Sequence, residues 1–527
     1  MMENLPYFLL RSIEKSPDKV YMQFEDERIT YQELHHRIGK GIAGFRELGI
    51  QKGDKVCMMM NNDPNYVDIW FSLSFMGAVI VPLNVHLKGE GLQYILSHSD
   101  CKLIVTDKEF VSKIQASLAF IERDITIIVH DNNENADTND KNIIQLNRIL
   151  QINHSFFPNE TIDSSSINSI LYTSGTTGLP KGVMLSHHAY VHSAQSFADL
   201  MVGARADDIL YTALPLFHIN AEAHTVLGSI HANATIALGK RFSASKFWDE
   251  IRYHGATIFN SLGSMIPILC KQPETENDSI NPARITACAA TPKEFWKVFE
   301  ERFAVRIVEG YGLTETTGFC VANSNPIPTL SSIGKPYSYV DTKIVNEQGE
   351  EVPIGQIGEI VIRSSASHTF MEGYYKMPDK TEESIKEGWF HTGDRGYQDE
   401  NGFLYFCDRI KQCIRRRGEN ISSWEIETVM NHHPKVLESA AIGVPSEVGE
   451  EDVKLYVILK KDEMMTYEEV LDWCQERMAY FMVPRYVEFS ESFPKTATER
   501  IQKFKLKEEG IGDAWDREKA GYEITKR

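Results

Sequence analysis

From residue 29 onward the chain alternates between two hydrophobic rhythms. Segments such as TYQELHHRIGKGIAGFRELG (30–49) repeat apolar positions at helical spacing, whereas VCMMM (56–60), KLIVT (102–106) and ITIIV (125–129) are short continuous apolar runs. Continuous runs suit strands covered on both faces, so the alternation predicts an α/β fold with largely parallel sheets flanked by helices. Further runs follow at SILYT (169–173), ILYTALP (209–215), ATIFNSL (256–262), RITACAA (284–290) and VRIVEG (305–310), each ending in a polar or Gly-containing turn. In such sheets ligands sit at the carboxyl ends of the strands. The polar stretch 131–140 has nothing to bury and predicts a surface loop. From about residue 333, Gly and Pro punctuate shorter strands such as GEIVIR (358–363), which predicts a small β subdomain over 333–408. That closes a large N-terminal domain, 1–408. After Asp408, the segments ETVMNHHPKV, AAIGVP, KLYVILK and EEVLDWCQERM predict a separate small α+β domain, 409–527.

Composition adds exclusions. A chain of 527 residues supports two to four domains at about 100–200 residues each, and its 42% hydrophobic and 24% charged residues are ordinary for a globular protein. The 55 basic against 74 acidic residues give a net charge of −19, which repels nucleic acid and anionic membranes. Any phosphate ligand therefore needs a local exception. The last domain, with 20 basic and 23 acidic residues, is the least acidic part. Eight scattered cysteines with no metal-site spacing predict a reduced, cytoplasmic protein. The N-terminal segment fits neither a secretory nor a transit signal, and the longest uncharged apolar stretch, 69–81, is too short to span a bilayer. No integral membrane association is expected, and the protein is expected to be a monomer or homodimer.

The local exception is LYTSGTTGLPKGVMLS (171–186). Here a strand runs into Thr173, Ser174, Gly175, Thr176, Thr177 and Gly178, with Lys181 beyond. Small residues let backbone N–H groups and hydroxyls wrap a phosphate while Lys181 supplies charge. The lysine spacing is not that of a Walker loop, which disfavours an ordinary P-loop ATPase.

With four more segments in the same order, LPLFH (214–218), YGLTET (311–316), HTGD (391–394) and DRIKQCIRRRGENISSWEIE (408–427), the chain resembles the adenylate-forming superfamily of acyl-CoA synthetases, peptide-synthetase adenylation domains and luciferases. The resemblance runs along nearly the whole chain and looks most like the carnitine/crotonobetaine–CoA ligase group. It implies that 173–178, Tyr311, Gly312, Thr314, Asp394 and Arg409 bind nucleotide. Tyr311 would stack on adenine, Thr314 would bond a phosphate, Glu315 would hold Mg²⁺, and Asp394 and Arg409 would take the ribose. Alone, Tyr311 could equally be core and Asp394 a turn cap. Lys181, Thr314, Glu315 and Arg500 are the implied catalytic set. His218 and Ala289 fall at the acyl pocket, Gly418 at the pantetheine tunnel, and Lys411 at the hinge of a mobile C-terminal lid. The run Arg415, Arg416, Arg417 could meet CoA phosphates or be a solvated patch.

Phe217–His218 offers no aspartate for a substrate ammonium, and no carrier-protein site follows, which argues against a peptide-synthetase module. The family ends in Thr-x-x-Gly-Lys, whereas this chain has PKTATERIQK (494–503). Aligned on Pro494, Arg500 replaces the adenylation lysine, keeping charge but presenting a planar fork; Lys503 or Lys505 is the alternative donor. Ala287, Cys288, Ala289 and Ala290 stand where relatives often carry Gly-Gly-Ala, suggesting a narrower pocket for a short or compact acid. The expected activity is AMP-forming carboxylate–CoA ligation with ATP, Mg²⁺ and CoA. The rivals are an aryl-acid or luciferase-like adenylating enzyme and a non-catalytic nucleotide-binding relative.

Overall fold

The computed structural model describes residues 3–131, 143–150, 152, 156–158, 162–173, 179–324, 329–409, 413–494, 501 and 503–524. The helix Tyr31–Glu47 begins at a capping box, with Thr30 and Glu33 each satisfying the other's backbone N–H, and buries Leu34, Ile38, Ile42 and Phe45. The strand Lys55–Met59 follows, and its Val56, Cys57, Met58 and Met59 are all buried. A strand covered on both faces needs no polar side, which is why these runs do not alternate. Residues 69–81 are core: they end the helix Pro64–Phe75 and begin the strand Val79–Pro82.

Two large sheets result. The first runs, in spatial order, Ile143–Gln145, Thr126–His130, Cys101–Asp107, Lys55–Met59, Val79–Pro82, Ile167–Thr173 and Lys181–Ser186, and its first six strands pair in parallel. The second has nine strands. Its parallel centre comprises Arg306–Leu313, Ile285–Ala289, Ile258–Leu262, Ile209–Thr212, Thr235–Leu238 and Val20–Phe24. Antiparallel strands close its edges: Gly318–Ala322 with Lys335–Pro336 on one side and Glu27–Thr30 on the other. A five-stranded sheet is built from Val340–Val345, Gly358–Ser364, Ile385–Lys386, Trp389–Gln398 and Leu404–Arg409.

The chain divides into two compact units. One comprises Met1–Val85, Leu96–Tyr172 and Gly182–Asp408; the other comprises His86–Ile95, Thr173–Lys181 and Arg409–Arg527. The second contains a hairpin, Cys413–Arg416 and Glu419–Ser422, and a sheet of Val436–Pro445, Glu451–Leu459, Tyr486–Phe489 and Trp515–Asp516 packed with the helices Ser423–Asn431 and Tyr467–Arg477. No helix among the described residues is long and apolar enough to cross a membrane. Most of the polar stretch 131–140 lies outside the described residues.

Candidate active site

Several predicted site residues fall at strand ends. Thr173 ends Ile167–Thr173 and Lys181 begins Lys181–Ser186. Ser174, Gly175, Thr176, Thr177 and Gly178, together with Lys411 and Arg500, lie outside the described residues. Ala289 ends Ile285–Ala289, and His218 follows Ile209–Thr212, just before a wide π-type helix, Asn220–Leu227. Such helices are rare and concentrate at functional sites. Arg409 ends Leu404–Arg409.

Tyr311 is placed differently from expectation: it lies within the strand Arg306–Leu313, which turns at 314–317 into Gly318–Ala322. The turn is tight. Thr317 N donates to Thr314 O at 2.9 Å, and Leu313 N donates to Thr316 Oγ1 at 2.8 Å. Gly312 has a packing reason beside its expected nucleotide role, because a Cβ there would lie 1.9 Å from the Gly318 carbonyl oxygen. This hairpin presents Thr314 and Glu315, both half-buried.

Asp394 is not in a simple turn but in a bulge of Trp389–Gln398. Glu359 pairs with Arg395 and Val361 with His391, so a two-residue step on one strand faces a four-residue step on the other. Gly393 takes φ +72° there, Gly393 N donates to Glu359 Oε1 at 3.0 Å, and Glu359 also accepts from His391 Nδ1 at 2.8 Å. The bulge delivers Asp394 to Tyr311, whose hydroxyl donates to Asp394 Oδ2 at 2.8 Å. Burial and the neighbouring carboxylate hold the Tyr311 hydroxyl protonated far above its ordinary range. The pair is therefore a fixed, neutral-donor-to-carboxylate unit, with the ring held by its own hydroxyl.

Three buried polar groups escaped the sequence reading. Asn62 donates to Leu214 O (3.0 Å) and Gly239 O (2.9 Å) and accepts from Leu216 N (2.8 Å), clamping the LPLFH segment that carries His218. Glu309 accepts from Ala290 N at 2.6 Å and from Thr291 N at 3.2 Å, holding the turn after Ala289. Ala290 has φ +61°, and the Ala290 carbonyl leaves no room for a Cβ at Gly263. Burial raises the Glu309 carboxyl to about 7 despite its donors. Its signal was a carboxylate directly after the apolar pair Ile307–Val308, two positions before Tyr311. Glu222 accepts from Tyr66 Oη (2.9 Å) and Tyr190 Oη (2.7 Å), and burial raises it to about 8. No periodicity marks Asn62 or Glu222.

In the second unit Gly418 and Arg417, at φ +85° and +50°, form the two-residue turn of the Cys413–Arg416 hairpin, and Gly418 N donates to Glu450 Oε2 at 2.9 Å. The arginine run is not one patch. Arg416 is buried on Asp452 (2.9 Å) and the carbonyls of Phe481 and Val483, so it is a structural cation unavailable to phosphate. Arg415 faces Glu450 at 3.5 Å, and Arg417 is the exposed member. Lys503 donates to Ser423 Oγ at 2.8 Å and pairs with Glu427.

Residues 9–375 match the model of the AMP-binding enzyme family, and residues 425–500 match the AMP-binding enzyme C-terminal domain. The chain belongs to the AMP-binding enzyme family. It is 32% identical over 509 residues to a crotonobetaine/carnitine–CoA ligase of Salmonella typhi, covering 93% of this chain and 96% of that ligase. Among solved structures, a Mycobacterium tuberculosis fatty acyl CoA synthetase is 28% identical with a TM-score of 0.69, over 96% of this chain and 98% of the other. The o-succinylbenzoate CoA synthetase of Bacillus subtilis, bound to a product analogue, shares the fold at 24% identity and a TM-score of 0.82, over 95% and 98% of the two chains. The α/β family fold expected from the motifs is thus the one present.

As to Mg²⁺, no group of three His, Cys, Asp or Glu among the described residues could hold a metal alone. Mg²⁺ ordinarily uses one or two carboxylates plus nucleotide phosphates and waters. Glu315, half-buried on its hairpin with one carboxylate oxygen engaged by Tyr374, fits that lesser demand.

Proposed function

We infer that this AMP-binding enzyme is an AMP-forming carboxylate–CoA ligase acting on a short or compact carboxylic acid in the cytoplasm. The observation that supports it most is the continuous 32% identity, over 93% of the chain, to a ligase named for joining crotonobetaine or carnitine to CoA. The carboxylate oxygen attacks the α-phosphorus of ATP and pyrophosphate leaves; the CoA thiol then attacks the acyl carbon and AMP leaves. A carboxylate is a poor acyl donor, and attachment to AMP turns its oxygen into a good leaving group.

The 173–178 loop and Lys181 hold the phosphates, and Lys181 balances the charge that builds on the departing pyrophosphate. Mg²⁺ bound with ATP supplies further charge neutralisation there. Tyr311 lies under the adenine, Asp394 and Arg409 orient the ribose, and Thr314 bonds a phosphate. Arg500 stands in for the family lysine on the carboxylate. His218 and the Ala289 turn form the acyl site, and a two-alanine floor at 289–290 narrows it. Gly418 admits the pantetheine arm. A thiol with an ordinary pKa near 8.5 needs only positioning in a dry channel to attack.

The test is pyrophosphate release across a panel of short carboxylic acids, each with and without CoA. Acid-dependent release, with AMP and thioester appearing once CoA is added, is expected. Adenylate without thioester would favour the luciferase-like rival, and no release with any acid would favour a non-catalytic relative.

A further inference from the structure

The five residues 371–375 form a strap between two parts of the phosphate site. On one side the strap follows the strand that begins at Lys181: Glu372 N donates to Met184 O (2.9 Å), Met184 N to Gly373 O (3.0 Å) and Tyr375 N to Gly182 O (2.8 Å). On the other side it grips Glu315 twice. Met371 N donates to the Glu315 carbonyl at 2.8 Å, and the Tyr374 hydroxyl donates to Glu315 Oε1 at 2.8 Å. Tyr374 is itself held. Its ring is 3% exposed and its backbone N–H donates to Thr381 Oγ1 at 2.9 Å. A tyrosine phenol carries its proton near neutral pH, so it serves as a donor.

A half-exposed glutamate left to itself samples several rotamers and loses entropy when it meets a cation. A buried, immobile donor on one oxygen selects one of those rotamers in advance, as outer partners do for metal-ligating carboxylates. We propose that Tyr374 is the positioning residue for Glu315: it fixes the carboxylate through Oε1, leaves Oε2 for the magnesium of MgATP, and through the strap keeps that carboxylate in register with the Lys181 strand. This rests on the reading of Glu315 as the metal-binding carboxylate.

The experiment uses the full chain as wild type, Tyr374→Phe, Glu315→Gln, their double variant, and Tyr375→Phe as control. Tyr375 donates to Asp100 Oδ2 at 2.8 Å and has no part in holding Glu315. Phe keeps the buried ring of Tyr374, and the half-exposed Glu315 can bond water instead, so folding is retained; thermal melting checks this. Mn²⁺ affinity of the protein–ATP complex, read by electron paramagnetic resonance of the free ion, is measured beside the Mg²⁺ midpoint of acid-dependent pyrophosphate release. Tyr374→Phe should weaken Mn²⁺ by about tenfold and raise the Mg²⁺ midpoint in step, with the KM for the acid and CoA attack on supplied acyl-adenylate unchanged. The double variant should be no worse than Glu315→Gln, because one residue acts through the other. If Glu315→Gln weakens Mn²⁺ but Tyr374→Phe does not, or if the two effects multiply, the positioning role is overturned. If Glu315→Gln leaves Mn²⁺ affinity intact, the metal-binding reading of Glu315 falls and the inference with it.

Discussion

In the proposed site Lys181 balances the charge that pyrophosphate gains as it departs. Lys181→Ala is expected to slow adenylate formation by more than about tenfold, roughly 1.4 kcal/mol of transition-state stabilisation, measured by pyrophosphate exchange. The other demanding position is the family lysine, for which sequence spacing left Arg500, Lys503 and Lys505 open. Lys503 is committed to Glu427, a buried carboxylate that burial raises and Lys503 pulls back down. Lys503→Ala should therefore destabilise the protein by about 1–3 kcal/mol, the usual loss when a largely buried carboxylate loses its charged partner, with Ala441 N still donating to Glu427 Oε1 at 2.6 Å, while pyrophosphate release is retained below the melting range. Arg500→Ala should instead abolish most acid-dependent release and leave CoA attack on supplied adenylate within about threefold, under roughly 0.7 kcal/mol. Should Lys503→Ala stop adenylation without loss of stability, the alignment on Pro494 is shifted by three positions.

Elements place these residues through features shorter than a sequence pattern. The turn after Ile285–Ala289 holds Ala290 in left-handed backbone, which costs a residue with a Cβ about 1–2 kcal/mol relative to glycine. Ala290→Gly should raise stability by about 1 kcal/mol, read from the shift in urea midpoint, and widen the range of acids accepted. The π-type helix after His218 is pinned by Glu222, whose two tyrosine partners come from the helices Pro64–Phe75 and His187–Ser196. Because burial raises this carboxyl to about 8, above its unfolded value near 4.3, the fold is most stable with the proton on and loses that contribution as pH rises through 8. Glu222→Gln should flatten the fall in urea midpoint between pH 5 and pH 8, with Glu309 keeping a residual slope. An equal slope in both proteins would show that Glu222 does not titrate in this window.

At the scale of the molecule, two units with separate cores carry different halves of the proposed chemistry. The large unit holds the Tyr311–Asp394 pair and Glu315, and the second holds Gly418 and the chain that leads to Arg500. On the proposed mechanism Arg500 serves adenylation and the Gly418 loop serves CoA attack, so we propose that the chain turns about Lys411 between the half-reactions. Lys411→Pro fixes φ near −65° and should slow one half-reaction selectively. If the variant forms adenylate and converts supplied adenylate to thioester at wild-type rates, no turn is required there.

By itself the sequence determined the α/β class, the strand runs, the order of the five motifs and through them the family, because burial on both faces and phosphate binding each need residue types that show in a linear string. It also placed Thr173, Lys181, Ala289 and the Thr314–Glu315 pair near strand ends. Only the tertiary structure decided that Arg416 is an internal cation on Asp452 rather than a CoA contact, that Lys503 is taken by Glu427, and that a bulge carries Asp394 to the Tyr311 hydroxyl. Tyr374 and Glu315, 59 residues apart, likewise share no local pattern. The physical reason is common to all four. A charged or hydroxyl side chain looks the same in sequence whether it meets water, ligand or another side chain, and its partner is chosen by packing between distant segments.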